Sequence, residues 1–384
     1  MGRIKVVVIG HGLAATYFLV GLERLKRNEI PDYGIPLRNW LPYSYEDIDV
    51  VATYDVDDDK VGKTAYDVAR KVFGPNVPGS LKEINIYRGV HLGSLRGLPY
   101  RARGREEREG VRKAMESIMD EWRSFGAEVF LNVMTTEPAE PIGDAEEIAR
   151  RAEEGGLTAS QTYAYMVAIY SSKARKAVFV NEIPTPLASD EGFVKLYEQS
   201  NAILLGDDAA TGATPLTADL LEHMYQRNRR VLDVVQFNIG GNADFLALTE
   251  PERNIMKKRT KSSMVSDILG YEAPSYIRPT GYLEPLGDRK LVAMQIEYLS
   301  FNNYVDEIYV VARINDKPAI AGLMVDLARL GKVLIDRGVR GTAWEVNAFY
   351  MKRPGPPGRP AIAKSLAFLR LLQWLGIEDP RGKA

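Results

Sequence analysis

The first 25 residues restrict the fold more than any other part of the chain. Ile4 to Ile9 form an apolar, β-branched run typical of a buried strand, Gly10-His11-Gly12 follows, and a helical pattern runs from Leu13 to Leu25. A strand, a glycine turn and a helix open a dinucleotide-binding unit, in which the helix N-terminus receives a pyrophosphate. Ala15 stands where the usual spacing has a third glycine, so a plain strand-to-helix turn stays an alternative.

Strand and helix patterns alternate along the first 206 residues. The sequence predicts strands at 48–54, 128–134, 176–181 and 202–206, and helices at 105–125, 158–174 and 190–199. This alternation predicts an α/β fold with a doubly wound, mostly parallel sheet of the Rossmann type. Residues 28–47 are rich in proline and glycine and are predicted to be an insertion on the surface.

The pattern changes after residue 230. Strand-like segments at 231–239, 274–278, 291–299 and 305–313 indicate an antiparallel or mixed sheet, and a helix at 319–333 is predicted to cover it. An amphipathic helix at 360–375 closes the chain. A length of 384 residues exceeds one compact core, which favours two domains.

Composition excludes several kinds of chemistry. The chain has no cysteine and only three histidines, which removes disulfides, thiolate catalysis and cysteine-ligated zinc and disfavours a multi-histidine metal site. The net charge of −1 gives no electrostatic case for binding nucleic acid or a membrane surface. With no long apolar run and no secretory pattern, a cytoplasmic location is expected.

Asp55 ends the second predicted strand, where an acidic side chain can accept hydrogen bonds from an adenosine ribose. A carboxylate at this position repels a 2′-phosphate, so NAD is favoured over NADP. The alternative is a solvated turn, because Asp57-Asp58-Asp59-Lys60 is strongly hydrophilic. Between 86 and 112, seven arginines are interleaved with glycine and proline, which is typical of a solvated mobile loop or of a lid over an anionic ligand.

The stretch from Gly206 to Thr214 follows a strand and precedes a helix. Thr211, Gly212, Ala213 and Thr214 leave the backbone open to an anion such as a phosphate, and Asp207 and Asp208 lie at the carboxyl end of the strand. An ordinary turn with an acidic helix cap is the alternative.

Lysines are the other group suited to chemistry. Lys257 and Lys261 share one face of a predicted helix that contains no acidic residue, which favours an anion-facing role. Lys290 and Lys352 each precede or follow a turn and are weak signals alone.

Taken together and in order, these motifs resemble the myo-inositol-1-phosphate synthase family. The matching positions are Gly10 and Gly12; Asp55 to Lys63; Asn181 to Pro184; Gly206 to Thr214; Asn238, Gly241, Asn242 and Asp244; Lys257, Lys261, Ser262 and Ser263; Gly287, Asp288 and Lys290; Asp316, in part; and Lys352. Three departures stand out: Ala210 replaces the family's loop lysine, the first turn reads Gly-His-Gly-Leu-Ala-Ala, and residues 88–93 lack an aspartate.

The resemblance implies isomerisation of D-glucose 6-phosphate to 1D-myo-inositol 3-phosphate through oxidation at C5, enolisation, intramolecular aldol closure and reduction, with NAD regenerated. Lys352 would move the C5-hydroxyl proton beside Asp316, and Lys257 and Lys290 would stabilise oxyanions. The implied phosphate ligands are Thr211, Gly212, Ala213, Thr214, Lys261 and Lys290. The implied NAD-binding residues are Gly10, Gly12, Leu13, Ala14, Asp55, Thr135, Asp208, Asn242, Asp244 and Asp316. A divalent or monovalent cation would be bound by Asp208, Asp244 or substrate oxygens.

The implied architecture is an NAD-binding Rossmann domain of residues 1–240, completed by 345–384. Residues 241–344 would form an inserted α+β domain for catalysis and oligomerisation, whose open sheet predicts a homotetramer. Four alternatives remain: a paralogue acting on another sugar phosphate, a two-domain NAD-dependent dehydrogenase, a non-catalytic NAD-binding regulator, and an aldol step through a lysine Schiff base.

Overall fold

The computed structural model describes residues 2–95, 101–249 and 264–379, apart from the side chains of residues 243 and 244. The chain divides into two compact units. The first comprises Met1–Gly206 and Ile320–Ala343, and the second comprises Asp207–Ala319 and Trp344–Ala384. This division differs from the predicted bounds, because 207–240 and 344–384 lie in the second unit and 320–343 lie in the first.

The first unit contains a seven-stranded parallel sheet with the strand order β11-β6-β5-β4-β1-β2-β3. Its strands are β1 Ile4–Ile9, β2 Ile48–Asp55, β3 Ile86–Arg88, β4 Val129–Asn132, β5 Val178–Asn181, β6 Ile203–Leu205 and β11 Gly341–Thr342. Strands 3-2-1-4-5-6 follow the Rossmann order, so the predicted doubly wound fold is confirmed. Strands β3 and β11 were not predicted.

Helices surround this sheet. They are α1 Leu13–Lys26, α2 Ala65–Phe73, α3 Glu106–Glu109, α4 Val111–Phe125, α5 Ala145–Glu154, α6 Ala159–Lys173 and α7 Glu191–Gln199, with a 3₁₀ turn at Gly79–Glu83. The single helix predicted at 105–125 is broken at Gly110, whose φ of +77° ends α3 and starts α4. Trp122, Phe130, Tyr163 and Tyr170 are buried together in the core between helices and sheet.

The segment 28–47 is irregular, as predicted, but part of it is buried. Ile35, Leu37 and Leu41 are each at most 7% exposed. The backbone N–H of Leu37 donates to Asp326 (2.9 Å), and the fully buried Arg329 guanidinium pairs with Asp326. The prediction of a surface insertion is therefore wrong for these residues, because a buried ion pair holds the segment in place.

The second unit contains a four-stranded mixed sheet with the order β10-β9-β7-β8. Its strands are β7 Arg230–Gly240, β8 Ser275–Tyr282, β9 Arg289–Leu299 and β10 Val305–Asn315. Strand β7 pairs in parallel with β8, and the other pairs are antiparallel. The helices are α8 Thr214–Gln226, α9 Ala243–Ala247, α11 Trp344–Tyr350 and α12 Lys364–Leu375, with residues 264–269 helical and 3₁₀ turns at Glu284–Leu286 and Phe301–Asn303. Helix α10, Asp316–Asp336, begins in the second unit and continues in the first.

One face of the mixed sheet is covered and the other is open. Met294 and Ile296 of β9 are buried against helical residues. On the opposite face, Phe237 and Val311 flank Ala293 in register and are 45% and 76% exposed. Among the described residues, no helix has the length and apolar character needed to span a membrane.

Candidate active site

The glycine turn after β1 has the geometry of an anion-binding helix start. Gly10 has a φ of +94°, and a Cβ there would lie 2.7 Å from the backbone nitrogen of Met134. Helix α1 has no side-chain cap at Gly12 and no acid in its first turn. Within the described part of the chain, the N–H groups of Leu13 and Ala14 have no acceptor. These bare donors fit a pyrophosphate.

The carboxylate of Asp55 is tied to the same turn. One of its oxygens accepts from the backbone N–H of His11 (2.9 Å) and from the Lys60 ammonium (3.3 Å). The other accepts from the N–H groups of Val56 (2.7 Å) and Asp57 (2.9 Å). Four donors fill the usual acceptor positions of a carboxylate. A ribose bound at Asp55 would therefore compete with Lys60, whose contact is the longest of the four.

His11 in this turn was not assigned a role from the sequence. Its ring is buried, Nδ1 lies 2.9 Å from the Thr53 hydroxyl, and Nε2 has no partner in the described structure. Burial lowers the pKa of His11 to about 4, against the opposing charge of Asp55, so the ring is neutral at physiological pH. Thr135 lies half-buried in the loop after β4.

Polar side chains also meet at the carboxyl ends of β4 and β5. The amide of Asn132 donates to Asn181 (2.9 Å), which in turn donates to the carbonyl of Thr185 (2.7 Å). Glu182 follows, and both of its oxygens are buried without a partner in the described structure. Burial raises the pKa of this carboxyl group well above its usual value, which favours its protonated form.

In the second unit, Asp207 to Ala210 pair with the segment after α11. Backbone bonds join Asp207 and Arg353 in both directions, the Lys352 N–H donates to the Asp208 carbonyl (2.7 Å), and the Ala210 N–H donates to Tyr350 (2.7 Å). The Lys352 ammonium lies 2.8 Å from the Asp208 carboxylate, and both groups are buried. These bonds explain why the end of the chain belongs to the second unit, contrary to the predicted completion of the Rossmann domain by 345–384.

The loop from Thr211 to Thr214 leads directly into α8. Within the described part, the backbone N–H groups of Gly212, Ala213 and Thr214 have no acceptor, and α8 has no side-chain cap and no acid in its first turn. The Thr217 hydroxyl in the next turn donates to the buried Gln236 (2.7 Å), which fixes the helix to β7. The loop is thus a rigid set of open donors suited to an anion.

Lys290 and Asp316 lie against this loop. Their ammonium and carboxylate are 2.9 Å apart, and a Cβ at Gly212 would lie 2.4 Å from the Lys290 nitrogen and 2.9 Å from Asp316. Burial alone would raise the pKa of Asp316, but the positive charge of Lys290, with smaller contributions from Lys317 and Lys352, lowers it overall. Asp316 is therefore ionised at neutral pH and pairs with Lys290, and Lys352 pairs with Asp208.

The remaining predicted site residues fall into two groups. The Asn242 amide donates to Asp288 (2.8 Å), and its oxygen accepts from the Phe245 N–H (3.2 Å), so Asn242 caps α9. Lys257, Lys261 and the side chain of Asp244 lie outside the described residues.

Four of the six arginines of 86–112 that the structure describes pair with nearby acids: Arg88, Arg103, Arg105 and Arg112. Arg103 contacts Asp58 (2.7 Å) and Arg105 contacts Glu121 (2.8 Å). In the described part of the chain, His91, Glu106 and Glu107 form the group whose atoms lie close enough to share a metal ion. Asp208, predicted as a cation ligand, instead contacts the Lys352 ammonium, with which a cation would compete.

Lys364, the first residue of α12, was missed by sequence reasoning. Its side chain is buried and its nitrogen donates to the carbonyls of Ala348 (2.5 Å) and Met351 (2.6 Å). A lysine at the positive end of a helix is electrostatically unfavourable, which is a local signal for an unusual role.

These features define a class: a Rossmann-type α/β protein whose second, mixed-sheet unit carries paired lysines and carboxylates beside an anion-binding loop. The model of the family described as myo-inositol-1-phosphate synthase matches residues 212–317, which include Gly212 to Thr214 of the loop, Lys290 and Asp316. A solved structure described as a myo-inositol-1-phosphate synthase-related protein from Thermotoga maritima is 47% identical, covers 98% of this chain and 99% of its own, and superimposes with a TM-score of 0.92. The chain belongs to the myo-inositol-1-phosphate synthase family, as the motifs predicted.

Two other relatives are more distant. The inositol-3-phosphate synthase of Corynebacterium glutamicum is 28% identical over 370 residues, which are 91% of this chain and 93% of the relative. The solved inositol-3-phosphate synthase of Caenorhabditis elegans is 18% identical, with a TM-score of 0.81 over 98% of this chain and 85% of its own, and it shows the shared fold.

Proposed function

We propose that the chain is an inositol-3-phosphate synthase, which converts D-glucose 6-phosphate to 1D-myo-inositol 3-phosphate with NAD. The observation that carries the proposal is the contact of the Lys290–Asp316 pair with Gly212 of the anion-binding loop. In the proposed reaction, this contact would bring the substrate phosphate and a catalytic cation together in one unit. Family membership supports the same reaction.

The substrate phosphate would bind the open N–H groups of Gly212, Ala213 and Thr214. It carries a charge of about −1.5 to −2 at neutral pH, which the positive end of α8 favours. Lys290 would reach this phosphate or a neighbouring oxygen of the sugar from its place beside Gly212. Lys261 stays a predicted phosphate ligand, and Lys257 a predicted oxyanion ligand.

Lys352 is suited to move a hydroxyl proton. Its nitrogen contacts Asp208, so a neutral amine would be held in place and an ammonium would be stabilised after it accepts a proton. The Lys290 ammonium would stabilise the oxyanion of the enolate or of the aldehyde during ring closure, where one donor contributes about 3–4 kcal/mol. Asp316 would keep Lys290 oriented between these tasks.

NAD would bind the first unit. The Gly10 to Ala14 turn fits its pyrophosphate because bare N–H groups are available there, and Asp55 would contact the ribose in exchange for Lys60. When bound, NAD supplies reversible hydride acceptance. The roles of Thr135, Asp208, Asn242, Asp244 and Asp316 toward NAD stay predictions.

A turnover experiment tests the proposal. Purified protein with D-glucose 6-phosphate and substoichiometric NAD should yield an inositol phosphate, followed by ³¹P NMR, without net NADH absorbance. Lys352→Ala should lower kcat by about 10²–10⁴-fold and leave NAD affinity unchanged. Lys332→Ala is the matched control, because Lys332 is also ion-paired, to Asp336 at 3.0 Å, but lies in the first unit.

The alternatives predict other outcomes. Stoichiometric NADH would identify a dehydrogenase, and NAD binding without turnover of any sugar phosphate would identify a regulator. Loss of protein lysine reactivity after borohydride and substrate would indicate a Schiff base. Product without NAD would contradict the proposed chemistry.

A second candidate substrate class is another sugar phosphate. Ala210 replaces a lysine of the family pattern. It is buried, and its backbone N–H donates to the carbonyl of Tyr350. Lys290 pairs with Asp316 and Lys352 pairs with Asp208, so the charge of each lysine is already opposed by a carboxylate and does not simply replace the lysine missing at Ala210. A panel of hexose and pentose phosphates decides: turnover of another member with inert glucose 6-phosphate would establish this alternative.

The open face of the mixed sheet supports assembly as a homo-oligomer, which we propose is a tetramer. Phe237, Ala293 and Val311 form an apolar row across three strands. Val311→Lys should reduce the mass measured by light scattering, whereas Asp306→Lys on the same exposed strand should not. An unchanged mass for Val311→Lys would exclude this face. A cytoplasmic location stays a prediction from the sequence.

A further inference from the structure

Lys364 binds the backbone next to the predicted catalytic lysine, Lys352. Its nitrogen donates to the carbonyls of Ala348, in α11, and Met351, the residue before Lys352. The segment so held is the one that pairs with Asp207 to Ala210 and places the Lys352 ammonium 2.8 Å from Asp208. The position of Lys352 therefore depends on the hydrogen bonds from Lys364 to the carbonyls of Ala348 and Met351.

The surroundings of Lys364 favour an uncharged amine. A neutral amine has two N–H donors, which match the two carbonyls, whereas the third donor of an ammonium has no acceptor in the described structure. The nitrogen is buried, and its residue starts α12, where the helix dipole disfavours a cation. The ammonium of Lys352 adds like-charge repulsion.

We propose that Lys364 is a positioning residue that acts as a neutral amine: it fixes the backbone that carries Lys352 and becomes charged when the pH falls. The role deepens the proposed function and rests on it for its catalytic meaning. The charged groups that act on Lys364 are Lys352 and, from α8, Asp219. Burial and then Lys352 lower the pKa of Lys364 to about 7, against the opposing effect of Asp219.

Charging of Lys364 has two consequences for Lys352. An ammonium at Lys364 has one buried N–H donor that the carbonyls of Ala348 and Met351 do not satisfy, and the cost of this unsatisfied donor destabilises the arrangement that holds the two carbonyls. It also places a second positive charge near Lys352, whose ammonium contacts the Asp208 carboxylate. Both effects act more directly on the orientation of Lys352 than on the anion loop at Gly212. Activity should therefore fall below about pH 7 through kcat, with KM nearly constant.

A lysine titration tests the charge state without any substrate. In protein labelled with [6-¹³C]lysine, the signal lost in Lys364→Met should titrate near pH 7 instead of near its usual 10.5. Asp219→Asn should move that midpoint further down, because Asp219 favours the charged form; the amide oxygen still accepts from Ser365. A midpoint near 10 would overturn the proposal.

Stability gives a second readout. Because the folded pKa lies below the unfolded value, the unfolded chain binds more protons between about pH 7 and 10.5. The wild-type melting temperature should therefore rise across this range relative to Lys364→Met, whose curve lacks this component. Parallel curves would refute the neutral amine. If Lys364→Met does not fold, the Asp219→Asn titration still decides.

Kinetics separates positioning from general stability. Lys364→Met should lower kcat on the order of 10²-fold, as expected for a misplaced catalytic group, with KM changed less than about threefold. It should also abolish the kcat decline near pH 7. Unchanged kcat in a folded Lys364→Met protein would contradict the positioning role. If no sugar phosphate is turned over by the wild type, the proposed function fails while both titration readouts still stand.

Discussion

Gly212 offers the sharpest test of the site, because one added methyl group separates backbone strain from chemistry. Gly212 has a φ of +69°, and a Cβ there would collide with the Lys290 nitrogen at 2.4 Å and with Asp316 at 2.9 Å. Gly270 in the same unit has a φ of +72° with nothing within 4 Å of its Cβ. Alanine at either position therefore adopts the same strained left-handed conformation, but only Gly212→Ala displaces the Lys290–Asp316 ion pair.

The expected magnitudes follow from this geometry. Left-handed alanine costs about 1–2 kcal/mol, which corresponds to a fall in melting temperature of roughly 2–8 °C for a unit of this size. The Lys290 ammonium is the end of a flexible chain and can move aside, so Gly212→Ala and Gly270→Ala should unfold within about 1–2 °C of each other. Displacing one oxyanion donor should lower kcat/KM of Gly212→Ala about 10²–10³-fold.

Calorimetry and steady-state kinetics on the two variants check the prediction. Gly270→Ala should keep wild-type kcat/KM at its lower melting temperature. If Gly212→Ala also kept it, the Lys290–Asp316 pair would not take part in the reaction. A melting temperature of Gly212→Ala far below that of Gly270→Ala would instead show that the loop cannot yield and that the loss of activity is structural.

Two further predictions concern other positions. Gly10→Ala should destabilise the first unit by more than about 2 kcal/mol, because its Cβ meets the backbone at Met134. Gly12→Ala has free space for its Cβ and should weaken NAD binding with little change in melting temperature. Equal stability of the two variants would refute the close backbone approach at Gly10. Because the pKa of Asp316 is lowered, its ionised form stabilises the fold above about pH 4, and this contribution is lost as the pH falls through the pKa of the folded state. The difference in stability between wild type and Asp316→Asn should therefore shrink below about pH 4. A constant difference from about pH 6 to 3 would contradict the ion pair.

The sequence predicted the architecture where local patterns are strong. The strands β1, β2, β4 and β5 are rich in apolar residues, and helix α6 begins at a capping box on Thr158. Strand β11 has two residues and β3 has three, too few for a period to register. The break at Gly110 was missed because the helical pattern continues on both sides of one glycine.

The site was predicted less completely than the fold, for a physical reason. The family resemblance gave Gly212 and Lys290 as implied phosphate ligands and placed Asp316 beside Lys352, but it could not show which carboxylate each lysine contacts. In the structure the Lys352 ammonium contacts Asp208 rather than the predicted Asp316. This contact depends on backbone hydrogen bonds between residues that are far apart in the sequence. Lys364 lies on an amphipathic helix, where a single lysine indicates a solvated position until tertiary packing is known.

The pairing of Lys352 with Asp208 also bears on biosynthesis. The two residues are 144 positions apart, and Lys352 leaves the ribosome long after Asp208. Domains fold as units from the N-terminus during synthesis, so the first unit's sheet can begin to form while the Asp208 carboxylate still lacks its cation. In a nascent chain of 340 residues, the Asp208 carboxylate should therefore still be exposed to water, and the candidate active site should form late in the folding of the molecule.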